Sequence, residues 1–267
     1  MKLRRFNNIY RYTYILVLMT SWHIPTLADE ESEVSGDRPD FTEATSTVPA
    51  GKLQLESGYT LASSKQSGST ARAHNYPEVL LRYGVTEALE MRLVTGDLIN
   101  YRSAGGNATE RSDAALGTKF KLYKDAASPW KLSMLAALSL PSGSKNETTD
   151  GYDPEVKLAW SRELPSDIDV SGNLVWAMPT AAGKRHTEYG VSLSVGFEFV
   201  ERTGLFVEVY SIDAGAAYGG RADTFNFGTV YKILPNFLVD ARYGLDLKKT
   251  TDEQFFGVGF VYQFGHK

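Results

Sequence analysis

Apolar side chains occupy every second position along nearly the whole chain after Gly51, with polar or small residues between them. In the closing stretch EQFFGVGFVYQFGHK, for example, Phe256, Phe260, Tyr262 and Phe264 share one face. A period of two is that of a β-strand, whose successive side chains point to opposite faces. The pattern predicts about twelve strands of roughly 8–12 residues, the length needed to cross a bilayer at a tilt.

The predicted connections alternate in length. Short ones are expected near residues 86–88, 124–129, 163–167, 200–203 and 234–236, and longer, polar ones near 63–75, 97–112, 141–151, 179–187, 213–222 and 248–253. Tight turns at one end and long loops at the other are typical of outer-membrane barrels. Aromatic residues cluster near the strand ends on the apolar face, as two interfacial girdles require: Trp130, Phe199, Phe237 and Phe264 on the turn side, and Trp176, Phe225 and Tyr152 on the loop side.

A secreted β-sandwich or lipocalin-like barrel is the alternative fold, with the apolar face as its interior. Charges of both signs on the opposite face of nearly every strand favour the membrane interpretation. The sequence therefore predicts an all-β protein, a transmembrane antiparallel β-barrel of about 12 strands. Its last strand, ending at Phe264, should pair with the strand that begins at Gly51, because a free aromatic edge would aggregate.

The first residues have the features of a secretory signal. Lys2, Arg4, Arg5 and Arg11 precede an apolar run, and the small residue Ala28 precedes an acidic patch. An uncleaved anchor is the alternative, although the run is short for a span. The predicted organisation is 1–28 signal peptide, 29–50 periplasmic or luminal amino-terminal segment, 51–264 transmembrane β-barrel and 265–267 short tail.

Charge and composition exclude some classes of function. Without the four basic residues of positions 1–28, 24 basic residues remain against 32 acidic ones, a net charge of −8. This balance argues against a nucleic-acid partner. The chain has no cysteine, which excludes disulfides and thiolate sites.

The polar face of the strands would line the lumen if the apolar face meets lipid. Strand parity assigns to this wall, and to a substrate path along it, Glu56, Glu78, Arg82, Glu90, Arg92, Lys119, Lys121, Glu155, Lys157, Glu198, Glu208, Asp240 and Arg242. Unpaired charges inside a narrow barrel are costly, so most of these side chains should form ion pairs. Together they would still make a pore wall of mixed charge.

Catalysis has little support in the sequence. His74 and His186 fall in predicted loops without metal-ligand spacing, and G-x-S-x-G does not occur. We therefore expect no catalytic residue, no metal site and no cofactor. Two alternatives to a channel stay open, namely an outer-membrane enzyme of the lipid-hydrolase type and a structural or adhesive barrel.

Two stretches, DRPDFTEATSTVPAGKLQLESGYTL and PEVLLRYGVTEALEMRL, resemble the family described as "Putative MetA-pathway of phenol degradation". The matching residues are Arg38, Pro39, Asp40, Thr42, Glu43, Val48, Pro49, Gly51, Gln54, Glu56, Leu81, Arg82, Tyr83, Gly84, Thr86 and Glu87. The resemblance implies an outer-membrane barrel of transporter type for passive uptake of small molecules, aromatic or hydrophobic ones among them.

The amino-terminal segment is hypothesised to fold into the lumen as a plug. Its Arg38, Asp40 and Glu43, together with Asp37, would then pair with wall charges such as Arg82, Arg92, Lys119 and Arg242. The expected partners are outer-membrane lipid, a small-molecule substrate of unknown identity and the barrel assembly machinery, which would read the terminal aromatic Phe264.

Overall fold

The computed structural model describes residues 34–66, 69–124, 128–166, 168–247 and 252–265. The predicted signal peptide 1–28, the first residues of the amino-terminal segment and the end of the predicted tail, His266 and Lys267, lie outside this part of the chain. Across the described residues no helix has the length and apolar character needed to cross a membrane.

The described chain contains sixteen strands and one short 3-10 helix, Ala216–Tyr218. The strands are β1 Leu53–Gln66, β2 Ser69–Thr86, β3 Leu89–Val94, β4 Leu98–Ser103, β5 Gly106–Arg111, β6 Ala114–Lys124, β7 Trp130–Leu140, β8 Asp153–Leu164, β9 Ile168–Ala177, β10 Thr180–Ala181, β11 Lys184–Arg185, β12 Glu188–Val200, β13 Thr203–Asp213, β14 Arg221–Leu234, β15 Phe237–Asp246 and β16 Asp252–Phe264.

Twelve of these strands close into an antiparallel barrel, as the alternating pattern predicts. They are all of the described strands except β4, β5, β10 and β11. β1 pairs with β2 on one side and with β16 on the other, and Leu53 lies opposite Phe264. The predicted closure between first and last strands is thus confirmed. Every neighbouring pair is antiparallel, so each strand of the wall runs in the opposite direction to the strand before it.

The two ends of the barrel differ in their connections. One end, called here the short-turn end, carries tight connections such as those after Thr86 and Leu234. The other, the long-loop end, carries the connection between Leu140 and Asp153 and the one holding the 3-10 helix. Residue 50 and residue 265 both lie at the short-turn end, since β1 begins there and β16 ends there.

Two predicted loops are strands instead. The prediction of a loop at 63–75 is wrong, because β1 and β2 stay paired from Ala62 opposite Ala73 to Gln66 opposite Ser69. Residues 97–112 are largely the hairpin β4–β5 rather than a loop. Both stretches are polar and small, and their strand pairing comes from neighbouring strands rather than from hydrophobic alternation.

The hairpin β4–β5 prolongs the wall beyond the barrel rim. The later residues of β2 pair with β3 and its earlier residues pair with β4. The register is continuous between the two pairings, with Leu80 opposite Val94 and Tyr76 opposite Leu98. Three residues, Thr95 to Asp97, interrupt the strand between these two pairings. The outer ends of β1 and β2 and the hairpin β4–β5 therefore form a small sheet that projects from the long-loop end.

The distribution of polar and apolar residues is the inverse of that in a water-soluble protein. Large apolar side chains are exposed on the outer surface, including Phe199 at 64%, Trp130 at 46% and Leu174 at 53%. The largest fully buried side chains include charged ones, namely Arg82, Lys119, Lys157, Glu56, Glu90 and Glu208. Such an outer surface suits lipid, and the charged interior suits a polar lumen.

Candidate functional site

Residues 34–50, called here the luminal segment, enter and leave the barrel interior at the same end. The Val34 amide donates to Pro235 O at 3.0 Å, in a short turn, and Val34 packs against Leu238 and Val261. Ala50 forms a bridge with Gly84, also at the short-turn end. The residues between contact strands from β1 to β16, so the segment makes a U-turn inside the lumen.

Asp37 is the centre of a cationic cluster in the wall. Lys119 Nζ lies 2.9 Å from both carboxylate oxygens of Asp37, and Arg82 Nη1 lies 3.4 Å from Oδ2. Arg92 also donates to Asp37. All four of these side chains are buried. Three cations from β2, β3 and β6 thus converge on one carboxylate of the segment.

Wall carboxylates complete the network around these cations. Arg82 donates to Glu56 Oε1 at 2.7 Å and to Glu90 Oε1 at 2.7 Å. Arg92 Nη1 donates to Glu90 Oε1 at 3.0 Å. Burial of charge is tolerated when each group is paired and hydrogen-bonded, which this ladder achieves.

Glu43 of the segment forms a second bridge to the wall. Its carboxylate accepts from Lys157 Nζ at 2.9 Å and lies 2.8 Å from Arg92 Nη2. Lys157 Nζ is also 3.5 Å from Glu155. Asn173 holds the Glu43 backbone from both sides, accepting from its N–H at 2.8 Å and donating to its carbonyl at 3.1 Å.

Arg38 supplies the opposite charge to the neighbouring part of the wall, formed by β2, β1, β16 and β15. Its Nη1 donates to Glu78 Oε2 at 2.8 Å, and its Nε donates to Asp240 Oδ2 at 3.2 Å. The guanidinium lies over Gly58 and Gly259, which face each other across β1 and β16. A Cβ at either glycine would collide with it. These two glycines therefore make room for Arg38 in the wall.

Three wall glutamates also bind the main chain of the segment. Glu56 accepts from the amides of residues 37 and 38 at 3.0 to 3.1 Å. Glu208 accepts from those of residues 41 and 42 at 2.9 and 2.6 Å. Glu90 accepts from that of residue 48 at 2.8 Å. Charge-assisted hydrogen bonds of this kind fix the path of the segment.

Arg242 and the aromatic side chains add further contacts at the bend of the segment. Arg242 Nη1 donates to Pro39 O at 2.8 Å. The rings of Phe41 and Tyr210 stack with centroids 4.3 Å apart, and Lys157 Nζ lies 5.6 Å from the Phe41 centroid. The bend therefore holds an aromatic pair beside a cation, an arrangement that favours further aromatic contacts.

Two cavities adjoin the luminal segment. One of about 400 Å³ lies toward the short-turn end, where Lys121, Lys131 and Asp169 line it together with several serines and threonines. The other, of about 100 Å³, lies between the segment and β2–β3 and includes Leu80 and Asp97 in its lining. Asp40 borders both cavities. The segment thus occupies the middle of the lumen.

The residues that strand parity assigns to the lumen wall do not all contact the luminal segment or its ion-pair networks. Most lie in the networks above, whereas Lys121 lines the larger cavity and Glu198 is exposed at the short-turn end, where it accepts from the Arg202 amide at 3.3 Å. Sequence reasoning missed the uncharged contacts, such as Thr42 Oγ1 donating to Ser192 Oγ at 2.7 Å. Strand parity could have identified Ser192, because it shares a face with the wall charges.

The two histidines in the described part of the chain contact other side chains. His74 Nδ1 lies 2.7 Å from the hydroxyl of Tyr59, and His186 Nε2 lies 3.0 Å from Glu188. His186 also stacks on Tyr218. Within the described part of the chain, no group of three His, Cys, Asp or Glu side chains could hold a metal ion.

Comparisons with known proteins agree with this architecture. A family model described as "Putative MetA-pathway of phenol degradation" matches residues 36–264. An outer membrane channel from Pseudomonas putida F1 is similar in structure, with a TM-score of 0.66 at 15% identity over 82% of this chain and 98% of that one.

Two further barrels are similar at lower scores. The translocator domain of the autotransporter NalP from Neisseria meningitidis has a TM-score of 0.54 at 14% identity, over 81% of this chain and 90% of that one. The NanC porin has a TM-score of 0.52 at 11% identity, over 79% and 98%. These likenesses show the fold. No curated protein sequence matches the chain.

Proposed function

Because the chain belongs to the family described as "Putative MetA-pathway of phenol degradation", we propose that it is an outer-membrane channel for passive uptake of small molecules. The closed barrel, the apolar outer surface and the charged lumen support this role. The fold it shares with an outer membrane channel from Pseudomonas putida F1 agrees with it. The signal peptide would deliver the chain to the periplasm, and the aromatic end at Phe264 would be read by the assembly machinery.

The luminal segment is the gate of this channel in our proposal. The observation that carries it is the match of charge between segment and wall. Asp37 and Glu43 face the cations Arg92, Lys119 and Lys157, and Arg38 faces the carboxylates of Glu78 and Asp240. In this arrangement the segment fills the middle of the lumen and closes the path.

Small aromatic molecules are the substrates we propose. The family description refers to phenol degradation, and the lumen holds the stacked pair Phe41 and Tyr210 beside Lys157. When the segment withdraws, Phe41 leaves with it, and an aromatic ring of the substrate would take its place beside Tyr210 and Lys157.

Deletion of residues 29–48 tests gate and channel together. The variant and the full-length protein are reconstituted in planar bilayers and in liposomes. We expect the deletion to raise single-channel conductance and to speed liposome swelling in aromatic acids, sugars and amino acids. Conductance equal to that of the full-length protein would contradict the gate. Absence of conductance in both proteins would contradict the channel and favour a structural barrel.

A further inference from the structure

Two arginines lie directly opposite each other on the projecting sheet at the long-loop end. Arg72 of β2 is the cross-strand partner of Arg102 of β4. Both side chains are exposed. Within the described residues neither guanidinium has a hydrogen bond or an ion pair. Like charges directly opposite each other destabilise a sheet, and an anion bound between the two guanidiniums would offset that repulsion. The two arginines are therefore a candidate binding site for a negatively charged ligand.

The arginine pair is on the outward face of the barrel wall. Arg72 lies opposite Ser63 of β1, and on the same face Leu61 lies between His74 and Phe256. Phe256 is 46% exposed on the lipid-facing surface. The inward neighbours Ala73 and Ile99 are buried, as alternation requires. The pair thus continues the lipid-facing surface past the barrel rim.

A cleft of about 320 Å³ surrounds the two arginines. Its lining is polar throughout, from Thr70, Arg72, His74, Arg102, Ser103 and Asn107. Lys65 and Arg111 are further cations on this face of the sheet. None of the described residues at outward positions of β1, β2, β4 and β5 is an Asp or a Glu. The outward face of this sheet is therefore positively charged, and none of its described residues is acidic.

Tyrosines mark the level of this cleft relative to the membrane. Tyr59 and Tyr76 lie one step nearer the barrel middle, with ring centroids 6.2 Å apart, and Tyr76 is 43% exposed. The Tyr59 hydroxyl lies 2.7 Å from His74 Nδ1, and the Tyr76 hydroxyl accepts from Asn100 Nδ2 at 2.9 Å. Tyrosine is enriched where hydrocarbon meets headgroups. The cleft is thus at the level of the lipid headgroups.

We propose that this cleft binds the phosphate of a phosphorylated glycolipid, of the lipid A type, in the outer leaflet. Arginine binds phosphate bidentately, and two guanidiniums side by side match its charge and its oxygens. The proposal rests on the proposed outer-membrane location, but lipid binding is measured separately from conductance. A protein that conducts without binding this lipid would refute only the present proposal.

Binding is tested with the full-length protein in detergent micelles. The probes are bis-phosphorylated lipid A, its dephosphorylated form and inorganic phosphate, and bound lipid is detected by native mass spectrometry. We expect the double variant Arg72→Gln with Arg102→Gln to weaken binding of the phosphorylated lipid about tenfold or more. The double variant Lys184→Gln with Arg202→Gln removes the same charge from other exposed sites and should bind like the native protein.

The outcomes separate the sources of phosphate. Equal affinity of the native protein and the Arg72, Arg102 double variant would overturn the proposal, as would equal binding of phosphorylated and dephosphorylated lipid. Inorganic phosphate that binds as tightly as the phosphorylated lipid would overturn the assignment to a membrane lipid. Replacement of both arginines by lysine keeps the charge, and should restore at least part of the binding.

A charge reversal gives an independent test that does not depend on loss of folding. Arg102→Glu places a carboxylate opposite Arg72 and turns the repulsive pair into an attractive one. We expect this variant to unfold at a higher temperature than the native protein in lipid-free micelles, by roughly 1–4 °C. It should also lose the affinity for phosphorylated lipid. A lower unfolding temperature, or unchanged lipid affinity, would contradict the proposal.

Discussion

Lys119 of the barrel wall and Asp37 of the luminal segment form the most deeply buried ion pair between these two parts of the chain, with Nζ 2.9 Å from both carboxylate oxygens. Lys119 also donates to the carbonyls of Ala44 at 2.9 Å and Ser46 at 3.3 Å. Within the described chain, the hydrogen bonds of the Lys119 ammonium group thus all reach the luminal segment. A buried cation in the wall is satisfied only while the segment is in place.

Neutralising Asp37 should loosen the segment. Asp37→Asn leaves Lys119, Arg92 and Arg82 with less compensating charge, and breaking a buried pair of this kind costs about 3–5 kcal/mol. We expect more frequent open events and a higher mean current in planar bilayers. Glu201→Gln, at an exposed turn position, is the control and should leave the current unchanged. A closed channel in Asp37→Asn would mean that the main-chain contacts to Glu56 and Glu208 suffice.

A methyl group at Gly259 should act on Arg38. In Gly259→Ala the Cβ would collide with the guanidinium, so Arg38 must give up its contacts with Asp240 and Glu78. We expect a rise in channel current and little change in the barrel itself. Gly204→Ala is the matched control, because a Cβ there meets nothing within 4 Å. Equal currents in the two variants would rule out Arg38 as an anchor.

The stability of the protein should depend on pH through Asp97, in the loop between β3 and β4. Burial, and then the charge of Glu78, raise the pKa of Asp97 to about 7, whereas a carboxyl in an unfolded chain titrates near 3.9. Between about pH 4 and about pH 7 the folded protein holds a proton that the unfolded chain has lost. Stability from this group therefore falls as pH rises through that window.

Asp97→Asn removes this dependence. Unfolding midpoints in detergent at about pH 5 and about pH 8 should differ less in the variant than in the native protein, with the variant more stable at the higher pH. Asp150→Asn, an exposed loop position, serves as control. A pH profile of Asp97→Asn that matches the native one would assign the titration to another group.

Depth in the membrane should set the cost of a charge on the outer surface. Leu193 lies near the middle of β12 and Phe199 near its short-turn end, and both are exposed. We expect Leu193→Arg to destabilise the protein in phospholipid vesicles by about 2–4 kcal/mol and Phe199→Arg by about 0–1 kcal/mol. Reversible denaturant unfolding measures both. Equal costs would argue against a bilayer around this strand.

The strands of the barrel could be predicted because their outer face is continuously apolar. The pairing of the first strand with the last follows from closure alone. The hairpin β4–β5 could not be predicted in this way, because NYRSAGGNATE is polar on both faces and gives no alternation. Its strands form by extending the register of β2, which is a tertiary effect.

The candidate site was less accessible to sequence reasoning. Parity assigns a residue to a face of the wall, but it gives no height along the barrel, so it cannot tell that Lys157 meets Glu43 or that Arg38 meets Asp240. Contacts made by main-chain amides give no signal in the sequence, because they do not depend on the side chain. Glu208 binds the amides of Phe41 and Thr42, and any residue other than proline could supply them.

The U-turn of residues 34–50 has a mechanical consequence. A rod threaded through the barrel would have to travel its full length to leave, whereas this loop can be withdrawn through the opening by which it entered. Withdrawal requires no strand to separate from its neighbour, so the wall can stay intact throughout. In the gate that we propose, force or a binding partner acting from the short-turn side withdraws the segment, so that one compartment controls the pore.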